Sequence, residues 1–225
     1  MAIAFVKKAE GIAATSSVAW GFGSATTSGN LIVGVFAADD YNSSPDSGWT
    51  QSAEMEQQFF HGAYLWWRIS TGETNPTAYT IGSATNSAWQ LLEFSDIDAT
   101  PYDTSQGKGA NDTGAYTTDT ITPSTGERLL VAMAGLNSSG NDLSGYTATW
   151  SDSFTVGDHV GNATGSTKDW CSTAYRVVTG DGTTGFTTTV TPSGSCDSRS
   201  VLIIAYKEAA GGGGGSTATM AWMTA

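Results

Sequence analysis

Positive charge, histidine and cysteine are all scarce in this chain: nine Lys and Arg, two His and two Cys among 225 residues. Against 21 Asp and Glu this leaves a formal net charge of -12. Nucleic-acid binding needs clustered Lys and Arg to neutralise phosphates, and here the few cations are scattered, so no nucleic-acid partner is expected. Anionic membrane surfaces are disfavoured on the same ground. Two thiols and two distant histidines, without paired ligand spacing, argue against a zinc site, and no metal or other cofactor is expected. Cys171 and Cys196 are left as either a reduced pair or a disulfide. No stretch approaches the roughly 18 apolar residues of a spanning helix, so membrane insertion is not expected. The opening "MAIAFVKKAEG" places its lysines after a short apolar run rather than before it, the wrong order for an export signal.

Catalytic patterns are equally thin. Nucleophilic catalysis needs a Ser or Cys beside a His base, yet only His61 and His159 exist, with no G-x-S-x-G or H-E-x-x-H sequence. Glu54 and Glu56 in "EMEQ" would share one strand face, roughly 6.5–7 Å apart, a separation glycosidases use. Their surroundings, "SAEMEQQ", are too polar to raise one carboxyl, so the pair reads as a solvated face. Glu93, set among Leu91, Leu92 and Phe94, costs free energy if buried alone; a strand-edge position or a partner such as Arg68 accounts for it structurally. The acidic stretches "ADDYNSSPD" and "SDID" lack EF-hand spacing and read as solvated loops. No enzymatic site is expected.

What the chain does have is short apolar runs rich in Val, Ile, Thr, Tyr and Trp, separated by Gly, Asn, Ser and Asp clusters. Examples are "NLIVGVFAA", "GAYLWWRIS", "AWQLLEF", "RLLVAMAGL" and "SVLIIAY". No sustained 3.6-residue pattern accompanies them. The reading is an all-β fold of antiparallel β-sandwiches. Four blocks recur in one order, roughly 100 residues apart. "TSGNLIVGV" answers "STGERLLVAM", "SGWT" answers "SGYT", "WRISTG" answers "YRVVTG", and "QLLEF" answers "LIIAY". This predicts two tandem related sandwiches, residues 1–98 and 99–210, either separate or sharing contact. Residues 211–225 follow as a Gly-rich hinge and an apolar peptide.

Taken together, "GNLIVGV", "DSGWT", "WWRISTG", "LLEFSDIDATPYD" and a second round ending "SVLIIAYKEA" resemble a group of duplicated β-sandwich proteins. These are encoded among the virion structural genes of tailed bacteriophages and their relatives, and similar modules occur in bacterial surface proteins. The resemblance covers about residues 3–208, through strand and turn signatures rather than chemistry. It implies a jelly-roll-like, lectin-like fold and a place on a particle surface, and it carries over no catalytic residue.

Strand alternation sorts the aromatic residues. Leu65, Trp67 and Ile69 share one face; their counterparts Thr173, Tyr175 and Val177 make that face core in both repeats. Tyr64, Trp66 and Arg68 take the other face, where the second repeat has Ser172, Ala174 and Arg176. A row of Tyr, Trp and Arg suits a glycan platform or an interface; burial beneath a loop or the second repeat is the structural alternative. Trp20 and Trp89 read as core, and Trp49 and Tyr146 as turn-packing residues.

After "LIIAYKEA" no strand is missing, so five glycines release "STATMAWMTA", whose Met220, Trp222 and Met223 form a docking peptide. The expectation is a non-enzymatic virion surface or structural protein: a capsid decoration protein, a head fibre or a tail adhesin. It would assemble in the host cytoplasm as a homo-oligomer on the particle, held to other virion proteins or sister copies by the peptide, with host glycan as a further partner. The rival is a stand-alone carbohydrate-binding module with Tyr64, Trp66 and Arg68 as its platform.

Overall fold

The computed structural model describes residues 2–13, 17–18, 20–38, 43–44, 47–57, 61–75, 79–81, 86–110, 114–163 and 168–210. Within these, the side chains at 17–18, 43–44, 52–57, 61, 79–81 and 110 lie outside the description. So do residues 211–225, and with them the docking peptide Met220, Trp222 and Met223.

The described chain is all-β. The first half supplies β1 (Ala4–Ala13), β2 (Ser17–Val18), β3 (Leu31–Ala38), β4 (Ser43–Ser44), β5 (Thr50–Gln57), β6 (His61–Ile69), β7 (Tyr79–Ile81) and β8 (Ser87–Ser95). The second supplies β9 (Ile97–Ala110), β10 (Tyr116–Thr117), β11 (Gly126–Ser138), β12 (Ala148–Trp150), β13 (Thr155–Gly161), β14 (Lys168–Gly180), β15 (Thr189–Pro192) and β16 (Ser198–Glu208). Each half forms a five-stranded and a three-stranded sheet: β1-β8-β3-β6-β5 with β2-β7-β4, then β9-β16-β11-β14-β13 with β10-β15-β12. The two orders are the same, strand for strand. In each half the first strand pairs with the eighth, the second with the seventh and the third with the sixth, all antiparallel. That nested pairing is jelly-roll-like. The fifth strand departs from it by pairing with the sixth rather than with the fourth.

The halves are joined without a linker. Asp96 takes a left-handed backbone (φ 59) between β8 and β9, and its carbonyl accepts a 2.9 Å hydrogen bond from the Ala209 N–H at the end of β16. The two five-stranded sheets then stack face to face, β1 over β13, β8 over β14 and β5 over β16 and β9. Equivalent strands are thereby related by a pseudo-twofold through β3 and β11. Leu31, Val33, Val35, Leu65, Leu92 and Phe94 from the first half and Leu129, Val131, Met133, Leu202, Ile204 and Tyr206 from the second enclose one shared core.

Because the outer faces of these sheets are covered too, their inner strands are apolar on both sides. Every residue of β3 is buried, and so are all of β8 except Ser95. This is the both-faces-covered situation that replaces polar–apolar alternation with continuous hydrophobic runs, and it accounts for "LIVGVFAA" and "SVLIIAY".

Candidate functional site

The outer face of the first five-stranded sheet carries the aromatic concentration. Ile32 and Phe36 on β3, Tyr64 and Trp66 on β6, and Trp89 and Leu91 on β8 all point into it. Phe36 stacks on Tyr64 at 4.6 Å between centroids and meets Trp66 edge-on at 4.7 Å. Trp20 lies over Gly34 so closely that an added Cβ would fall 2.0 Å from the Trp20 ring; glycine is required at that position for close approach. Trp49 meets Trp20 edge-on at 5.1 Å.

The sequence-predicted platform is therefore corrected. Tyr64 and Trp66 are both 0% exposed: they share a face, but the Trp20 and Trp49 segments cover it. Arg68 alone of the three is half-buried, with its guanidinium 5.8 Å from the Trp49 ring centroid and 3.1 Å from the Glu73 carboxylate. Its counterpart Arg176 donates to the Asp152 carbonyl at 2.7 Å and lies 5.9 Å from the Phe186 ring. Both arginines clamp the edge of the outer layer to its sheet. In the second half, smaller residues at the Tyr64 and Trp66 positions leave room for Trp150, whose indole N–H donates to Ser172 at 3.0 Å.

Cys171 and Cys196 do not pair. Both are free and buried, and they lie on opposite faces of the second five-stranded sheet: Cys171 in the shared core, Cys196 in the cluster of Trp170, Leu143 and Val201 beneath the outer layer. Burial first, then the charges of Glu10, Asp169 and Asp158, push the Cys171 thiol well above its usual range.

Several described carboxylates are held by loop hydrogen bonds, three of them from two or three residues away and Asp197 from a second loop. Asp98 is held low by the Thr100 N–H and hydroxyl, Asp142 by Ser144, Asp197 by Ser139, and Asp181 by Thr184 and Thr183. At Asp103 burial opposes ionisation, but hydrogen bonds from Ser124 and Arg128 outweigh it. Glu93 is fully enclosed, yet accepts from the Thr27 N–H at 2.8 Å and the Asn30 amide at 2.7 Å, with Lys7 at 3.5 Å. Its cation is Lys7 from β1, not Arg68. Glu54 and Glu56 fall on β5 in register with Tyr64 and Gly62, their side chains outside the description.

One cluster was invisible in sequence. At the seam where β1 lies over β13, Lys8 ion-pairs with Asp158 and donates to the Gly157 carbonyl at 3.1 Å. Glu10 hydrogen-bonds to Asp158, and burial followed by that neighbour pushes Glu10 up to about 7. Deeper in, Gln90 spans the two sheets, accepting from the Thr173 hydroxyl at 2.6 Å and donating to the Cys171 carbonyl at 3.3 Å. Among the described residues no three His, Cys, Asp or Glu gather as a metal would require.

No family model, curated protein or solved structure matches this chain. Its reading rests on the geometry above and on the sequence.

Proposed function

We propose that the chain is a non-enzymatic structural protein of a virion surface, of the kind tailed bacteriophages and phage-like particles carry as a decoration, head fibre or tail adhesin. The supporting observation is the doubled architecture: two halves of one strand order, each an inner five-stranded and an outer three-stranded sheet, joined through the inner pair. Such a block presents its outer sheets, loops and strand edges outward. Several of its described carboxylates build turns and others tie strands and layers together, which favours a scaffold reading over acid–base chemistry. The order of strand and turn blocks that resembles virion proteins points the same way, and on a symmetric particle many copies would add avidity to weak contacts. Contact with host glycan would fall to the loops, since Tyr64 and Trp66 are enclosed. The stand-alone carbohydrate-binding module loses its support with that platform.

The test is immunogold electron microscopy, with antibodies raised against the purified chain, on particles released from source cells. Gold at a repeating position on the particles supports the proposal. Chain recovered only in the particle-free supernatant sinks it.

A further inference from the structure

The two seams of the stacked sheets are pseudo-equivalent, yet they are finished differently. At one, Tyr102 opposes Tyr206 across β9 and β16, and Tyr206 meets Trp67 edge-on at 6.4 Å. Trp67 and Ile69 are half-buried there, and the exposed Tyr102 ends in a hydroxyl 3.3 Å from Ser105. At the other seam Phe5 opposes Phe94 across β1 and β8, and Tyr175 meets both, stacked on Phe5 at 5.2 Å and edge-on to Phe94 at 5.3 Å. At this second seam the apolar residues left in solvent are Phe5, 37% exposed, Val6, 43%, and Val177, 40%, and the exposed Lys8 lies farther along β1 at its border. Val177 follows Tyr175 on the same strand face, and β13, the neighbour of β14 in the sheet, begins at Thr155 opposite Tyr175 and does not run beside Val177. Contiguous apolar surface of this kind marks a site that something else covers.

We infer that the Phe5–Tyr175–Val177 surface is the docking site for the apolar segment Met220–Met223 of the same chain. The argument is one of reach. Val177, Leu129 and Tyr206 form one cross-strand row over β14, β11 and β16. Two strand spacings put Val177 about 10 Å to the side of Tyr206, and the four residues to Ala210 add about 13 Å along the strand. The span from Ala210 back to the patch is thus about 16 Å. The Ala209 hydrogen bond to Asp96 fixes this point of departure at the same end of the sandwich as Phe5. Nine residues, Gly211 to Thr219, precede Met220, and a Gly-rich chain of that length has a root-mean-square reach of about 15–18 Å. Reach and span match, the condition under which the effective concentration of a tethered partner is greatest. The segment is also chemically suited: two methionines and a tryptophan, adaptable and aromatic, against Phe, Tyr and Val. The inference stands apart from the virion reading, since the pairing occurs in one isolated chain.

The test uses the full chain with Trp222 replaced by photoreactive p-benzoyl-phenylalanine, irradiated at low micromolar concentration and digested. The expected result is intramolecular cross-links to peptides containing Phe5 or Tyr175–Val177, at a yield independent of protein concentration. The yield should fall at least about tenfold in Val177→Asp and in Phe5→Ser, because each places a polar group in the apolar contact. Both positions are exposed, and near-UV circular dichroism identifies whichever variant keeps the native fold. Cross-links to other surfaces, or an undiminished yield in a folded variant, overturn the inference. Cross-links that appear only between molecules also overturn it, while leaving docking to sister copies, and so the virion reading, intact.

Discussion

The carboxyl pair at the β1–β13 seam makes a specific demand on pH dependence, tested by Glu10→Gln. Glu10 has an ordinary carboxyl value of 4.5 in the unfolded chain and about 7 in the fold. Below 4.5 both states hold the proton and the contact with Asp158 is fully present. Between 4.5 and 7 the unfolded chain ionises first, so the folded state binds more protons and stability falls as pH rises. Above 7 both are ionised, and Glu10 and Asp158 repel across the seam with only Lys8 between them. A shift of this size would be worth about 3 kcal/mol for an enclosed group. Glu10 stands on an exposed edge strand, and solvent screening reduces the effect to about 1 kcal/mol. For a chain of this size that is about 2–4 °C in Tm. Asp158 acts oppositely: burial works against its ionisation, but hydrogen bonds from Glu10 and Lys8 hold it low, so its contribution is lost only at more acid pH. Scanning calorimetry of both proteins from pH 5 to 8 isolates the Glu10 term, because His61 and His159 are common to both. Wild type should lose about 2–4 °C relative to Glu10→Gln across that window. Parallel curves, or a variant destabilised at pH 8, would refute the reasoning.

Four further expectations rest on the same packing. Trp20→Ala should cost about 3–5 kcal/mol in a urea titration, since it empties the space over Gly34; Gly34→Ala should cost about 1–3 kcal/mol by displacing the same ring, and equal stability to wild type would show that Trp20 has freedom to move. Glu93→Ala should cost about 3 kcal/mol by stranding Asn30 and the Thr27 N–H, whereas a value within the noise of the titration would mean that water replaces the carboxylate. Thiol titration should find neither Cys171 nor Cys196 reactive in the folded chain and both reactive in guanidinium, with Tm unchanged by reductant; one disulfide by mass would contradict their placement on opposite faces. Calorimetry at one pH should show a single transition with equal calorimetric and van't Hoff enthalpies, and two resolved transitions would contradict the shared core.

Strand alternation sorted β6 correctly, with Leu65, Trp67 and Ile69 on one face and Tyr64, Trp66 and Arg68 on the other. It could not say which face meets water, because in a four-layer stack both faces of the inner sheets are covered. The signal that bears on this sits in the neighbouring strand: "LIVGVFAA" is apolar at odd and even positions alike, so the sheet that holds it is enclosed on both sides, and Tyr64 and Trp66 with it. The repeat of strand and turn blocks was legible because each block is local. The partners of Glu93 were not: Lys7 arrives from the far end of the chain by strand pairing. The Glu10–Asp158 contact is further still from view, since it depends on β1 stacking over β13, which no local pattern encodes. The state of the cysteines, open in the sequence between a reduced pair and a disulfide, was hidden for a similar reason. Strand parity sends Cys171 inward, and the turn before β16 leaves Cys196 on the other side of the sheet.

The shared core also determines what kind of object this chain is. Two ordinary sandwiches in tandem would each bury their own interior and meet through a polar surface free to shift. Here the face that one half offers the other is Leu31, Val33, Val35, Leu65, Leu92 and Phe94, all fully buried, and a half alone would expose it whole. The polar contacts across that face do not add much area, but they fix its register. Gln90 reaches Thr173 and the Cys171 carbonyl in the interior, the Ile3 N–H donates to Glu127 at 3.0 Å, and Lys8 meets Asp158 at the rim. A slide of one sheet over the other by a single residue would leave Gln90 buried without partners, at a cost of several times the thermal energy. The apolar contacts hold the halves together and the polar ones allow a single alignment. The outer layers and loops of both halves are therefore carried on one shared core, an arrangement that supports the proposed role as a repeated surface component.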